Sequence, residues 1–315
     1  MEKISIVTYL RASETITQSF LLFVQQIQNR EILDNVYIFT VTPREVIAHK
    51  NWIIIYDNGK TKYERLRYLI NTLQDSILFS IDNDMTIDFS VFETFLNQFI
   101  FSDRVIGWGK IGVSNKGFVP SLISVDKNLS HYFIRPLLWK LNIGISIPGQ
   151  CFILRTKKYF QRLPETNTFL DDLQIGLFTC YQGYQVFQSE KIIGTEKVQD
   201  TLGKLFRQRK RWAKGFASTL KTAQSMNRKF FILVLLHGFS YHLTLPIFIP
   251  FLLSLYFVNS IIAFTITFLL LILLCKGNFS LLGSALLYCM IFPWLHLYWL
   301  ISLIPSRLET KHVNQ

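Results

Sequence analysis

Two aspartates stand one residue apart directly after an apolar run. Asp82 and Asp84 belong to the stretch SIDNDM, which continues the strand-forming run Ser76–Ile81. Such a run has the length of a strand buried on both faces of a parallel sheet, and ligands bind beyond the carboxyl ends of these strands. The two carboxylates could hold a divalent cation that neutralises a diphosphate, or they could cap a turn.

A second acidic pair, Asp171-Asp172, falls near the start of a helix that the pattern predicts from about Thr168. The positive end of a helix dipole stabilises the charged form of a carboxylate, which suits a general base that takes a proton from a hydroxyl group. Helix capping alone would favour the same residues at these positions.

The third polar cluster is the basic string RQRKRW, residues 207–212. Guanidinium groups bind phosphate oxygens in a bidentate manner and could stabilise a departing diphosphate, while the indole offers a face to a sugar ring. The same string is also typical of a basic belt that flanks a membrane span, with a tryptophan at headgroup depth.

Charge is distributed unevenly along the 315 residues, which have a formal net charge of +12. Between Phe230 and Pro305 the only charged side chain is that of Lys276. This break in composition predicts a membrane-embedded region after a water-soluble domain. Anionic lipid, a phosphorylated substrate and nucleic acid could each match the basic charge, but the basic run adjoins the apolar region, so we expect no nucleic-acid partner.

Strand-like and helix-like segments alternate in the first part of the chain, which predicts an α/β fold with a mostly parallel sheet and flanking helices. The predicted strands are 4–10, 36–41, 52–56, 76–81 and 150–155, with a break at Pro43 and short extended pieces at 104–113 and 121–125. The predicted helices are 14–28, 63–73, 89–100 and 201–221, the last being basic and amphipathic.

The sequence divides into four predicted regions. They are a cytosolic catalytic domain at 1–200, an amphipathic interfacial segment at 201–229, a transmembrane region of about three helices at 230–305 and a tail at 306–315. We expect membrane spans at 231–257, 259–275 and 280–303, and therefore an integral protein of a bacterial-type plasma membrane. No signal peptide is visible, so we expect the soluble part to stay in the cytosol. Arg307 and Lys311 favour an even number of spans.

The order of these clusters, followed at once by apolar segments, resembles the family 2 glycosyltransferases. The resemblance is to their membrane-integrated branch, which includes cellulose, chitin and hyaluronan synthases and ceramide glucosyltransferase, and it runs from about Ile4 through the first predicted span. It implies a GT-A fold and an inverting, metal-dependent hexosyltransferase that uses a nucleotide-sugar donor, most simply a UDP-sugar.

The resemblance assigns roles to the two acidic pairs. The family's D-x-D motif matches Asp82 and Asp84, which implies that they bind the donor and its Mg²⁺ or Mn²⁺, with Asp84 the more direct ligand. The family's TED-type motif resembles Leu170-Asp171-Asp172, which makes Asp172 the expected catalytic base and places Asp171 at the acceptor. Asp171 stands where the family has a glutamate.

The resemblance also covers the basic string and the strand before it. The family's Q-x-x-R-W motif matches Gln208, Arg211 and Trp212, which implies that Gln208 and Arg211 contact the donor diphosphate and Trp212 the acceptor. Gly149 and Gln150 resemble the segment that floors the acceptor site.

The nucleotide-binding part departs from the family. Thr8 and Tyr9 end the first predicted strand, in the place of the family's nucleotide-binding strand. The family's acidic pair after its second strand is missing, so Asp57 or Asp34 could substitute, or Thr40 could bind the base less directly.

Too few membrane spans are predicted for the protein to form its own channel for a growing polymer. We therefore expect transfer of one sugar to a membrane lipid or lipid-linked acceptor, with a small processive polysaccharide synthase as the alternative. A non-enzymatic membrane scaffold or transporter subunit is the alternative from another class.

Overall fold

The computed structural model describes residues 2–42, 51–166, 168 and 170–306. The predicted break at Pro43 and the tail residues Arg307 and Lys311 therefore lie outside the described residues. The chain forms two compact units. One holds the residues up to Gly112 and Ile145–Lys197, and the other holds Val113–Gly144 and the residues from Val198 onwards. Residues 113–144 fall within the predicted first domain, 1–200, but they pack with the second unit.

The first unit is built on a mixed eight-stranded sheet. Its strands are β1 (Ile4–Leu10), β2 (Leu33–Thr40), β3 (Trp52–Tyr56), β4 (Ile77–Ile81), β5 (Thr86–Ile87), β6 (Ile106–Val113), β7 (Cys151–Arg155) and β8 (Val186–Glu196). They lie in the order β3-β2-β1-β4-β7-β6-β8-β5.

The strand directions confirm only part of the predicted sheet. Strands β3, β2, β1 and β4 are parallel, with Val7 opposite Ser80 in the β1–β4 pair. Strand β7 is antiparallel to both β4 and β6, and β5 is antiparallel to β8. The sheet is therefore mixed rather than mostly parallel, because the segment that enters β7 approaches from the carboxyl end of β4.

The helices of the first unit cover the sheet. They are α1 (Gln18–Asn29), α2 (Lys62–Thr72), α3 (Phe89–Ile100) and, after two helices that belong to the second unit, α6 (Asp171–Tyr181). Phe23 and Phe92 pack edge to face, with ring centroids 5.0 Å apart, and Phe79 of β4 contacts Phe92 at 4.8 Å. Aromatic burial of this kind contributes strongly to the core and fixes α1 and α3 against β4.

Polar residues define the helix starts. Thr17 caps α1, and Thr61 and Glu64 form a complete capping box at the start of α2. These side chains satisfy amide groups that have no partner within the helix, which fixes the first residues of each helix.

The second unit is helical. Its helices are α4 (Phe118–Leu129), α5 (Arg135–Lys140), α7 (Leu202–Met226), α8 (Arg228–His242), α9 (Thr244–Val258), α10 (Ser260–Cys275) and α11 (Leu282–Ser306), and a π-helical turn (Ser130–Ile134) joins α4 to α5. The extended piece predicted at 121–125 is wrong, because Leu122, Ile123 and Val125 lie on α4 and are buried in the core of this unit.

A buried ion pair links three helices of the second unit. Arg209 of α7 contacts Asp126 of α4 at 2.7 Å (Nη2 to Oδ2), and the Tyr288 hydroxyl of α11 donates to Asp126 Oδ1 at 2.9 Å. The Arg209 guanidinium also lies over the Trp212 ring at 4.4 Å. Since a buried charge is costly without partners, these contacts favour one arrangement of the three helices.

One stretch among the described residues, Phe279–Leu303, is helical, long and apolar enough to cross a membrane, with mean hydropathy 1.6. Helices α8 and α9 would make a second span if counted together, but they meet at a bend of 41°. Helix α10 is apolar and shorter than a span. Length and composition thus support one or two spans rather than three.

Candidate active site

The predicted donor and metal residues meet where β1 and β4 end. In the register of this parallel pair, Val7 lies opposite Ser80, so Thr8 and Tyr9 run beside Ile81 and Asp82. Asp82 directly follows the last residue of β4, at the strand end predicted from the apolar run, and every residue of that strand is buried.

The loop that carries the two aspartates is held from both sides. The Asp82 N–H donates to the Gln150 carbonyl oxygen at 2.8 Å, which ties the loop to the residue before β7. The Asn83 Oδ1 accepts from the Thr17 N–H at 3.0 Å, and Asn83 Nδ2 donates to the Thr15 carbonyl oxygen at 2.9 Å. Asn83 is buried, so its bonds to the start of α1 fix the backbone between the two carboxylates.

Lys62 joins the two acidic pairs. Its Nζ lies 2.8 Å from Asp82 Oδ1 and 3.3 Å from Asp171 Oδ2, and it donates to the Gly149 carbonyl oxygen at 2.9 Å. The ammonium also lies 5.1 Å from the centre of the Tyr9 ring. One cation therefore connects β1, the loop after β4, the segment before β7 and the start of α6.

Asp171 and Asp172 occupy the first turn of α6, as the sequence predicted. Asp171 is buried beneath Lys62, whereas Asp172 is half-buried and accepts from the Leu173 N–H at 2.8 Å. Gly149 lies directly against Asp172, because a Cβ atom at position 149 would stand 2.9 Å from Asp172 Oδ2. The absence of a side chain at Gly149 thus makes room for the Asp172 carboxylate.

Burial and crowding shift the protonation of this cluster. Burial raises the pKa of Asp171 to about 7, although the Lys62 ammonium opposes the shift. Burial, with the nearby charge of Asp82, also raises the pKa of Asp84. Burial alone would lower the pKa of Lys62, but Asp171 and Asp82 outweigh it and raise the pKa above its ordinary value. Lys62 is therefore charged at every physiological pH.

The acidic loop fits a divalent cation. Burial and the neighbouring Asp82 carboxylate raise the pKa of Asp84, and a cation bound by the two carboxylates would offset both effects. No group of three His, Cys, Asp or Glu side chains in the described part of the chain could hold a metal. Oxygen atoms of a bound diphosphate or of water would complete the coordination that Mg²⁺ and Mn²⁺ require.

The remaining nucleotide-binding candidates differ in position. Asp57 follows β3, donates its N–H to the Thr40 carbonyl oxygen at 3.0 Å and pairs with Lys60 at 3.4 Å, so it lies at the same edge of the sheet as Asp82. The Thr40 hydroxyl is buried and donates to the Thr42 carbonyl oxygen. Asp34 lies at the amino end of β2, at the opposite edge, where it accepts from Ser5.

Gln208, Arg211 and Trp212 lie on α7, in the second unit. Gln208 and Trp212 are half-buried and Arg211 is exposed. Their predicted contacts with the donor and the acceptor stay predictions.

Sequence reasoning missed Lys62 and Asn83. Asn83 lies between the two aspartates of the acidic loop and is not itself a charged residue, and the predicted helix begins one residue after Lys62. The signal for Lys62 was present, since Thr61 and Glu64 form a capping box that makes this lysine the first residue of α2.

The fold and the acidic cluster together define a GT-A-like α/β protein. The structure of the mannosyltransferase PcManGT from Pyrobaculum calidifontis, in complex with GDP-Man and Mn2+, matches with TM-score 0.57 and 10% sequence identity, over 98% of this chain and 88% of that chain. A mycobacterial protein matches with TM-score 0.50 and 12% identity, over 70% of this chain and 74% of that one. No curated protein sequence matches significantly.

A match between the sequence and a family model assigns the chain to a family. Residues 77–304, more than half of the chain, match the model of glycosyl transferase family group 2. The chain therefore belongs to this family, and the expected glycosyltransferase class is confirmed. The family match includes the acidic loop, both carboxylates of α6 and the basic string on α7.

Proposed function

We propose that the protein is an inverting, metal-dependent glycosyltransferase that moves a sugar from a nucleotide-sugar donor, a UDP-sugar, to a hydroxyl group of a membrane lipid or lipid-linked acceptor. The observation that carries the proposal is the convergence of Asp82, Asp171 and Gly149 on Lys62, with Asp172 packed against Gly149. One residue of each acidic pair thereby contacts the same cation, which supports a single site formed by two pairs that are far apart in sequence.

Asp172 is the base in this proposal. Its carboxylate takes the proton of the acceptor hydroxyl, whose oxygen forms a bond to the anomeric carbon from the face opposite the diphosphate. The bond between that carbon and the diphosphate oxygen breaks, and its electron pair leaves with the diphosphate. Attack from the opposite face inverts the configuration of the sugar.

Asp171 is a weaker candidate for the base. Burial raises the pKa of Asp171 to about 7, a value that suits a base at neutral pH. However, its side chain is only 6% exposed and faces Lys62, so an acceptor hydroxyl cannot approach it as it can approach Asp172. We assign Asp171 the role of orienting Lys62 at the acceptor side of the site.

A divalent cation held by Asp82 and Asp84 would neutralise the charge of the diphosphate. The identity of the nucleotide rests on Thr8, Tyr9 and Asp57, which are close to the carboxyl ends of β1 and β3. Burial raises the pKa of Tyr9, so its hydroxyl stays neutral and could donate a hydrogen bond to the donor.

The apolar character of the second unit supports a membrane acceptor. Phe279–Leu303 has the length of a span, and α7 carries exposed cations that could face anionic headgroups. With at most two such spans among the described residues, a lipid acceptor is favoured over a polymer that the protein would have to thread through itself. On this proposal the protein is integral to a bacterial-type plasma membrane and its first unit is cytosolic.

The test is a donor screen with a base variant. Detergent-solubilised protein is incubated with a panel of radiolabelled nucleotide sugars and Mn²⁺ or Mg²⁺, and lipid-soluble product is separated from polymer. We expect label in the lipid fraction, and a loss of about 10²–10⁴-fold in Asp172→Asn, which is the usual contribution of a general base. Asp75→Asn is the matched control, because Asp75 is exposed and pairs only with Lys157 on the surface.

Three results would count against parts of the proposal. Label in polymer would favour the processive synthase. Normal turnover by Asp172→Asn would exclude Asp172 as the base. If the folded protein binds no nucleotide and transfers sugar from none of the donors, the alternative of a non-enzymatic membrane scaffold is favoured.

A further inference from the structure

The position of Lys62 creates a competition for Asp82. A divalent cation in the acidic loop would share the Asp82 carboxylate with the Lys62 ammonium, which contacts Asp82 Oδ1 at 2.8 Å. Both partners are partly shielded from water, with 22% of the Lys62 side chain and 35% of the Asp82 side chain exposed. Their attraction is therefore stronger than that of a surface pair.

The backbone holds Lys62 in this position. It is the first residue of α2. The capping box of Thr61 and Glu64 fixes this helix start, since the Thr61 N–H donates to Glu64 Oε2 at 2.7 Å. Its ammonium has further partners in Asp171, the Gly149 carbonyl oxygen and the Tyr9 ring. Lys62 could thus release Asp82 and keep its other contacts.

We propose that Lys62 is a positioning residue that acts as a tethered cation and suppresses the binding of a bare divalent cation at Asp82 and Asp84. This inference rests on the proposed metal-dependent function. In the free protein, a metal ion must compete with the ammonium for the Asp82 carboxylate and withstand its charge at short range. A metal ion that arrives with a nucleotide brings the negative charge of the diphosphate, which offsets this repulsion.

The consequence is a preferred mode of binding. The cation enters as a complex with the nucleotide, and the two acidic pairs stay linked through Lys62 until it does. In the free protein, the Lys62 ammonium then supplies the counter-charge of the carboxylates. No metal ion occupies them before the nucleotide arrives.

The test measures the binding of Mn²⁺ alone to the full chain in detergent, by electron paramagnetic resonance of the free ion. Lys62→Met should bind bare Mn²⁺ about tenfold more tightly than the wild type, since one neighbouring charge shifts an ionic equilibrium by at least about this factor. Lys60→Met removes the same charge two residues away, where Lys60 pairs with Asp57 instead, and should change the affinity by less than about twofold. Asp84→Asn in the Lys62→Met background should abolish the gain.

A second measurement needs no substitution. Mass spectrometry of reductively methylated wild-type protein should show that Mn²⁺ with UDP or GDP alters the labelling of Lys62 several-fold and leaves the surface residue Lys157 unchanged, whereas Mn²⁺ alone alters neither, because the amine gives up Asp82 only when the nucleotide arrives. Unchanged labelling of Lys62 would contradict the proposal even if Lys62→Met failed to fold.

The outcomes separate this inference from the proposed function. If Mn²⁺ binds the wild type together with UDP or GDP, but binds Lys62→Met alone no better than the wild type alone, the role of Lys62 is overturned and the proposed function stands. If Mn²⁺ binds none of the proteins in the presence of either nucleotide, the metal-dependent function itself is overturned, and this inference with it.

Discussion

Gly149→Ala tests whether the position of Asp172 matters for transfer. A methyl group at position 149 would lie 2.9 Å from Asp172 Oδ2 and 3.1 Å from both Cβ and Cγ of Asp172. Carbon atoms in favourable contact are about 3.5–4.0 Å apart. Rotation of the carboxylate alone cannot relieve the 3.1 Å contact with Cβ, so the start of α6 must move by about 0.4–0.9 Å relative to Gly149.

The size of the effect follows from this displacement. A shift of about 1 Å in a reacting group can lower the rate about 10²-fold. We therefore expect kcat to fall by about 10- to 100-fold, which corresponds to about 1.4–2.7 kcal/mol of transition-state stabilisation. Crowding of this kind costs about 1–3 kcal/mol of folding stability, so the variant should fold and melt at a lower temperature. The donor KM should change less than kcat, because the new methyl group contacts the proposed base, Asp172, rather than a residue proposed to bind the donor.

The assay is steady-state transfer with the donor found in the screen, next to a thermal melt. Gly203→Ala is the matched control, since a Cβ atom at Gly203 would meet nothing within 4 Å. It should keep wild-type kcat. Wild-type kcat in Gly149→Ala would refute the reasoning, because the base would then tolerate a displacement that the geometry makes unavoidable.

Two further predictions concern stability. Burial raises the pKa of Asp171 to about 7, above the ~3.9 of an unfolded chain, so the folded protein binds the extra proton and stability falls as the pH rises from about 4 to about 7. Asp171→Asn should reduce the difference in Tm between about pH 5 and about pH 8, and an unchanged difference would contradict the assignment. In the second unit, Asp126→Asn leaves the buried Arg209 without its carboxylate and should cost about 3–5 kcal/mol. Tyr288→Phe removes one hydrogen bond and should cost about 1 kcal/mol, both measured by chemical denaturation in detergent, where equal losses would be inconsistent with a buried ion pair.

The parallel half of the sheet could be predicted because its strands are continuous apolar runs. The strand at Ile4–Leu10 and the helix at Phe89–Ile100 have the predicted bounds. Strand β8 was missed, because Val186–Glu196 is largely half-buried and has three exposed residues in succession, so no clear alternation marks it. The direction of β7 depends on how the chain returns to the sheet, which its local sequence does not encode.

Helix α4 shows how packing overrides local preference. The β-branched residues Ile123 and Val125 favour a β-strand by local preference, but they pack in one cluster with Leu274 of α10 and Phe292 of α11. A bond from the Asn128 amide to the Leu274 carbonyl oxygen, at 2.8 Å, fixes the same contact. No single-sequence pattern reports a partner that lies so far along the chain.

The acidic residues of the site were predictable, and the cation that joins them was not. Carboxylates at a strand end and at a helix start follow from the order of elements alone. That Lys62 reaches Asp82, Asp171 and Gly149 at once depends on the register of β4 with β7 and on the exact first residue of α2. Contacts of this type require three-dimensional coordinates, because each partner comes from a different element.

The charge balance of the site explains why it suits a ligand that carries its own cation. Four carboxylates, those of Asp82, Asp84, Asp171 and Asp172, belong to this cluster, and Lys62 is the cation that contacts two of them. Burial raises the pKa of both Asp84 and Asp171, which means that the folded protein holds these groups in an environment that disfavours their charge. A neutral ligand would not reduce the free-energy cost of ionising these buried carboxylates, and an anion without a cation would increase that cost. On the proposed function, a diphosphate bound to a divalent cation would bring positive charge to the carboxylates and negative charge to the ammonium, and would thereby relieve both sides of the cluster at once.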